Sequence, residues 1–562
     1  MSAVHGEDER AAGRPSRYDV TGRRGTHPSA ERLSPANPLW GSNGIAFGPD
    51  GRLYVAEFLG GRISAVDLDG GELDVVVPAG GPVRSPDDLA FGADGSMYIA
   101  DLVPGRVWRR SPRGEYTLVS DEVKNPNGIT CIGDRLFVNE MKPDGRLLEL
   151  FPDGGAPAVL TAGLAMGNAM QRGPDGCLYY PHMISEQIWR IPPDGGEPEM
   201  VADQVDRPVA VRFDRGGVLH VLSLGPEGRV TRIDLHGTGS RTLVTSGLAG
   251  LDNAAFDAEN RMFVSSYASG GITEMHPDGR TRVIVPRGFD GPYGVTVDLG
   301  GTVYAADHYR VASPPASSEA SFGGDGGADA EPAEPVSHVL APFAHGIAAD
   351  GGLLHLTSQF GDVRTYDPRD GSMRKRSGGL DRPMGIAVDP AAGSLVVAEA
   401  GAGRVLAVDG SDRVTVLAEG LGRPVDVAFD AAGRCYVSDE QAGAVLRLEE
   451  DATAAVVAEC LGAPQGLAVV GDVLYVVETA HRSLRAVSLV TAASWTEAED
   501  LPVGPSPDAV PVPPDAGPAL FAHGLPGLAG RFTGLASAPD GSLVLSADGE
   551  GTLLRLTPSG PR

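Results

Sequence analysis

Cysteine is nearly absent from this chain: Cys131, Cys177, Cys435 and Cys460 are the only four in 562 residues. No CxxC pair occurs among them, so neither a disulfide scaffold nor a zinc site is implied. Basic residues are also few, 46 against 74 acidic ones, which leaves a net charge of −28. A surface of that sign repels phosphate backbones and anionic headgroups, so no nucleic-acid partner and no membrane partner is expected. No stretch of about 18 apolar residues exists. The opening segment MSAVHGEDERAAGRPSRYDV lacks the apolar core of a secretory signal, and no Asn-x-Ser/Thr sequon follows, so a cytoplasmic location is expected. Missing too are a GxSxG elbow, an HExxH pair, a P-loop and a dinucleotide fingerprint.

Glycine and proline are abundant, 78 and 45 residues, and the glycines recur at fixed places. That regularity points to many tight turns rather than to low complexity. The unit SNGIAFGPDGRLYVAEFLGGRISAVDLDGGELDVVVP parses as four short strands broken by Gly, Asp and Pro. It begins at Ile45 and returns at Leu89, Ile129, Ala169, Val211, Ala254, Val295, Ile347, Ile386, Val427, Leu467 and Leu535. Four-stranded units with a period of about forty residues are propeller blades, which bury their faces by stacking around an axis. Propellers hold about four to eight blades, so the sequence predicts an all-β chain of two tandem six-bladed propellers.

The predicted division is a disordered tail over 1–28, a first propeller over 29–279 and a second over 280–562. The last unit stops after its third strand. The expected ring closures are therefore crossed, with Ala30 to Pro35 completing the sixth blade and Thr281 to Pro286 completing the twelfth. Two insertions, 314–336 and 495–517, are expected between the third and fourth strands of their blades. The first is acidic and Gly/Ala/Pro-rich and is expected to be disordered; the second is Pro-rich and is expected to be a surface loop.

Because strands one and two are antiparallel, the start of the first and the end of the second lie on one face of the ring. The first half places Asn43-Gly44, Asp87-Asp88, Asn127-Gly128, Gly167-Asn168, Val209-Ala210 and Asp252-Asn253 at the start of strand one. The second half places Tyr293, His345, Met384, Val425-Asp426, Gln465 and Thr533 there, each Gly-flanked apart from Val425. Converging Asp and Asn oxygens suit a hard cation such as calcium, and they equally suit capping of the turn before a strand. At the end of strand two, acids such as Glu57, Asp101, Glu140, Asp307, Glu399 and Glu478 recur in both halves and read as architectural. His182 departs from that pattern and is a candidate proton shuttle, and Tyr267 ends the sixth blade's second strand. His308 and His345 form a weaker polar group in the second half.

The NPNGIT segment at Asn127, the LDNAAF segment at Asp252 and the repeated PDGxLYVAD/E pattern resemble the SMP-30/gluconolactonase/LRE-like family. They also resemble the related paraoxonase, strictosidine-synthase-like and NHL-repeat propellers. The resemblance implies a divalent metal, usually calcium, at the mouth of the channel, serving hydrolysis of a lactone or related ester. It implies Asp88, Asn127, Asn168, Asp252 and Asn253 as metal ligands, and Asp252 or His182 as the catalytic base. Asn43, Asp87 and Tyr267 would contact a small-molecule substrate. Two other functions remain open: a non-catalytic NHL-type propeller that binds a protein or small molecule, and strictosidine-synthase-like or virginiamycin-lyase-like C–N or C–O chemistry. A protein partner on the second propeller is a further expectation.

Overall fold

The structure is a computed structural model that describes residues 30–235, 239–315, 334–449, 452–504 and 532–559. Within them lie twelve antiparallel four-stranded sheets, and every predicted unit start except Ala169 falls inside a strand. Ala169 lies just ahead of Gln171–Arg172 and bridges Ala210 instead.

The blades close into two rings. The first strand of blade 1, Ser42–Phe47, packs against those of blade 2 (Pro86–Phe91) and blade 6 (Leu251–Phe256). The first strand of blade 7, Pro292–Val297, packs in the same way against those of blade 8 (Ala344–Asp350) and blade 12 (Leu535–Ser537). The chain is thus two six-bladed propellers. Separate apolar clusters fill the space between adjacent blades; one joins Val55 and Val66 of blade 1 to Phe263 and Ile272 of blade 6. Burial between blades is what fixes the strand alternation.

The ring closures are the reverse of the expected ones. Thr281–Val285 pairs with Ile272–Met275 and completes blade 6, so the first ring runs past 279 to 285. Ala30–Arg32 pairs with Thr552–Leu556 and completes blade 12, so this segment belongs to the second ring. The reason is chain continuity. His276 to Arg280 form a tight turn, with the Gly279 amide donating to the His276 carbonyl at 2.9 Å, and a local hairpin costs little closure entropy. The edge left open is that of blade 12, and the N-terminal strand covers it.

The placement of the second insertion is also corrected: Ser494–Ala498 is the fourth strand of blade 11, paired with Ser483–Ser488. Residues 505–531 then lie between blades 11 and 12, outside the described residues. The first insertion does fall between a third strand, Arg310–Ser313, and a fourth, Val336–Leu340; residues 316–333 and the tail over 1–28 are outside the described residues. No helix of the structure is long and apolar enough to cross a membrane.

Two chain segments therefore link the rings, and they pack together. The Asn37 Nδ2 donates to the Phe289 carbonyl at 3.4 Å, and the Gly41 amide donates to Asp290 Oδ1 at 2.9 Å.

Candidate active site at the mouth of the first propeller

The acids that end strand two are architectural, as expected. Glu57 accepts the Trp40 amide at 2.8 Å, Asp101 the Ser85 amide at 2.7 Å and Glu140 the Lys124 amide at 2.8 Å. In the second ring Glu399 accepts the Asp381 amide at 2.7 Å and Glu478 the Gly462 amide at 2.9 Å. Each carboxylate ties the end of its strand to the loop that enters the same blade.

At the start of strand one the polar residues divide by position. Those in the second position of each pair cap their own strand. Asp88 Oδ1 accepts the Leu89 amide at 2.9 Å, Asn168 Oδ1 the Ala169 amide at 2.7 Å and Asn253 Oδ1 the Ala254 amide at 2.8 Å. Asp88 Oδ2 also takes the Ile129 amide of blade 3 at 3.3 Å. Asp426 in the second ring repeats this pattern, accepting the Val427 amide at 2.9 Å and the Leu467 amide of the next blade at 3.0 Å. Capping therefore accounts for Asp88, Asn168 and Asn253.

The first position behaves differently. Asn43, Asp87, Asn127 and Asp252 accept no backbone amide among the hydrogen bonds formed here. The Asn43 Nδ2 donates to Asp87 Oδ1 at 3.2 Å. The Oδ1 atoms of Asn43 and Asn127 are buried with no partner, in side chains that are 6% and 2% exposed. Buried oxygens left unpaired are costly and uncommon in folded proteins. The Asn127 amide nitrogen points instead at the Met141 sulfur, 3.0 Å away, with the Asn168 amide nitrogen at 3.5 Å from the same atom.

Beneath this group lies a residue that sequence reasoning missed. Arg212, in the first strand of blade 5, is buried in the channel. Its Nε donates to the Ala254 carbonyl at 2.8 Å, one terminal nitrogen donates to the carbonyls of Met170 at 3.1 Å and Val211 at 2.8 Å, and the other donates to Asn253 Oδ1. The Asn253 Nδ2 continues the chain to Asp88 Oδ1 at 3.2 Å. That bond passes over Gly44, where a Cβ would lie 2.5 Å from the same Asp88 oxygen. Its one sequence mark is a charge where the aligned residues of other blades are mostly alanine: Ala46, Ala90, Ala255 and Ala428.

Three carboxyl groups crowd this space with one guanidinium. Burial and then the charge of Asp88 push Asp87 up to about 7. Burial pushes Asp88 up to about 6, although Arg212 opposes the shift. Asp252 is raised well above the usual range by burial and by Asp87 and Asp88, while it keeps part of its surface open at the mouth. Isolated buried negative charge behaves in this way.

His182 is not drawn into this group by any described contact. Its Nδ1 faces the Ala165 amide at 3.5 Å, its ring stacks on Trp189 with centroids 5.5 Å apart, and Nε2 is buried and unpartnered. Burial lowers it to about 4, so it is neutral near pH 7. Tyr267 sits at the rim, and burial followed by the Asp252 charge raises its hydroxyl.

The second mouth is more apolar by contrast. Three of its first-position residues, Tyr293, Met384 and Val425, pack with Ala400 and Phe532 into an apolar cluster. His308 is buried with neither ring nitrogen bonded, its ring edge-on to Tyr293, Tyr309 and Phe343. Burial and His345 hold it down at about 3.

Among the described residues no three His, Cys, Asp or Glu side chains gather closely enough to hold a metal by themselves. A cation here would need the carboxamides, and the two buried Oδ1 atoms without partners supply that kind of donor. The set of Asn43, Asp87, Asn127 and Asp252 is all hard oxygen, and it fits calcium chemistry in donor type and charge.

No family model matches the chain, and no curated protein matches it. Among solved structures it is similar to a streptogramin B lyase, at 18% identity over 49% of this chain and 94% of that one, with a TM-score of 0.37. It is similar to a gluconolactonase from Xanthomonas campestris, at 20% identity over 42% of this chain and 86% of that one, with a TM-score of 0.36. It is also similar to a chain of a nidogen/laminin complex, at 20% identity over 40% of this chain and 88% of that one, with a TM-score of 0.36.

Proposed function

We propose that the first propeller is a calcium-dependent hydrolase that opens a lactone or related ester at the mouth of its channel. One observation carries this reading. Among the described residues, Asp87, Asp88 and Asp252 share a buried space with one cation, Arg212, while the buried Oδ1 atoms of Asn43 and Asn127 have no partner. The residues that would hold the ion are Asn43, Asp87, Asn127 and Asp252, with Asn168 at the edge of the set. When bound, calcium would supply Lewis-acid polarisation of a carbonyl oxygen.

The remaining chemistry belongs to the chain. Asp252, partly open at the mouth, is the residue placed to take a proton from water. In the bare cluster it is held protonated by burial and by its two neighbours, and added positive charge favours its carboxylate form. Arg212 and Asn253 hold Asp88 in its capping geometry, which fixes the walls of the cluster. Asn43 orients Asp87 through their hydrogen bond. His182, neutral near pH 7, is a second proton acceptor only for a substrate that reaches from the ring to blade 4.

The test is hydrolysis of a lactone panel by the full chain, with calcium and with a chelator, beside Asp252→Asn. Turnover that needs calcium and falls at least about a hundredfold in the variant is expected. Folded wild type that takes up no calcium and turns over no lactone would exclude the reading.

A further inference from the structure

The second propeller reaches the first one's mouth through one short turn. In blade 7, strands Val303–Asp307 and Arg310–Ser313 are joined by only two residues, His308 and Tyr309. The corresponding turns of the first ring are longer, as in Phe58 to Gly61 and Leu102 to Gly105. His308 adopts φ 44°, a left-handed conformation that a bulky residue takes only where its surroundings enforce it.

Those surroundings are a buried clamp. Asp307 Oδ1 accepts the amides of Asp290 at 2.7 Å and Gly291 at 2.8 Å, in the segment that links the rings. Asp307 Oδ2 accepts Arg310 Nε at 2.9 Å, and Arg310, 2% exposed, also donates to the Gly288 carbonyl at 2.6 Å. The turn is therefore held against the linker.

Tyr309 projects from this turn into the first propeller. Its ring meets Tyr267 edge-on, with centroids 4.9 Å apart, and Phe343 at 5.6 Å. Tyr309 and Phe343 pack with Phe58, Leu59, Leu102, Val103 and Met141 from the upper turns of blades 1, 2 and 3. Met141 is the residue whose sulfur faces Asn127 and Asn168. The Tyr309 hydroxyl also lies within electrostatic range of Asp87 and Asp252. Phe343, from blade 8, is again left-handed, with φ 63°.

We infer that the second propeller supplies one wall of the first propeller's site, with Tyr309 and Phe343 as specificity-determining residues for a ligand that carries an apolar or aromatic substituent beside its oxygen-bearing head. The inference rests on the cation-site reading given above. An oxygen cluster with an aromatic and aliphatic wall along one side selects an amphipathic ligand over a fully hydroxylated one, because hydroxyls left against that wall would lose their hydrogen bonds.

Two measurements on the full chain test this. In the first, terbium replaces calcium, and its emission is excited through tyrosine in wild type, in Tyr267→Phe, which removes the other tyrosine at the rim, and in Tyr267→Phe carrying Tyr309→Phe as the variant compared with it. The expected result is saturable emission that calcium displaces, falling by more than half from Tyr267→Phe to the double variant while calorimetric terbium affinity is unchanged. Undiminished emission in the double variant would overturn the placement of Tyr309 and leave the cation site standing. Absence of a saturable terbium site in wild type would overturn both. In the second, phenyl- or hexyl-substituted lactones are compared with the unsubstituted ring. Phe343→Ala is expected to raise KM for the substituted lactones about tenfold and to spare the unsubstituted one. Tyr309→Phe, which keeps the ring, is expected to retain the preference. A folded Phe343→Ala that keeps the full preference would overturn the assignment of the wall.

Discussion

The two propellers are built from one repeated blade, and they differ most where the first strand begins. In the second ring three of the first-position residues, Tyr293, Met384 and Val425, pack into an apolar cluster, and the other three are His345, Gln465 and Thr533, none of them a carboxylate. In the first ring the same places hold Asn43, Asp87, Asn127 and Asp252, two of them with buried oxygens that nothing satisfies. The next position differs far less. Asp88 and Asp426 make the same pair of backbone contacts, one within the blade and one to the next. The pair separates architecture from chemistry: what both rings share holds blades together, and what only the first ring has is available to a ligand. Arg212 is likewise particular to the first ring, where it braces the cluster from beneath; its counterpart Ala428 shows that the blade needs no cation at that place.

The largest effect that would break this comparison is expected at Arg212. Arg212→Met removes the guanidinium that, among the described residues, opposes the burial of Asp88, and leaves the acceptors of its hydrogen bonds unpaired, a loss of about 3–5 kcal/mol by analogy with other broken buried pairs. Chemical denaturation would measure it, and Asp426→Asn in the second ring is expected to cost less, about 1–3 kcal/mol for one lost acceptor. Next comes removal of residues 1–36, which takes away Ala30–Arg32 and opens the edge of blade 12. Calorimetry is expected to show the second propeller melting at lower temperature, separated from the first. A pH series sharpens the contrast further. Asp87 and Asp426 are both held up at about 7 by burial. A folded value above the unfolded one means that their contribution to stability is fully present below about pH 4 and is lost as the pH rises through about 7. Thermal melts between pH 5 and pH 8 are therefore expected to fall for the first ring, where Asp88 and Asp252 act with Asp87, and calcium is expected to reverse that fall. In the second ring His308 at about 3 and His355 at about 4 gain stability over the same range and offset Asp426, so no fall is expected there. The smallest effect belongs to Arg32→Ala. Its ion pair with Glu550, 2.7 Å long, is partly exposed, so a loss of about 0.2–1 kcal/mol is expected.

The repeat made the fold legible, because each blade carries its own turns and its own apolar alternation. Ring closure was not legible from strand pattern. AER and TRVIV are both short outer strands, and only the tight turn at His276 to Arg280 decides that TRVIV stays with blade 6. The prolines that follow Trp495 favour a loop there, yet SWTEA pairs as an edge strand. At the candidate site, the sequence singled out the starts of the first strands, where Asn43, Asp87, Asn127 and Asp252 stand. It could not divide Asp87 from Asp88 or Asp252 from Asn253, since the difference is which side chain turns back to its own amide. Arg212, Met141 and Tyr309 went unnoticed for another reason. Each acts across blades or across propellers, where spacing along the chain carries no information. A charge in place of alanine at Arg212, and a turn shortened to two residues at Tyr309, are the marks they left.

The central claim is that the first mouth is a cation site held partly protonated while bare. Calorimetric titration of calcium into the full chain at pH 7, repeated in two buffers of different ionisation enthalpy, tests it directly beside an Asp87→Asn/Asp252→Asn double variant. The account predicts one saturable site in wild type, release of about one proton on binding, and no binding in a variant that still folds. Calcium uptake that survives in the variant, or a folded wild type with no uptake at all, would contradict it.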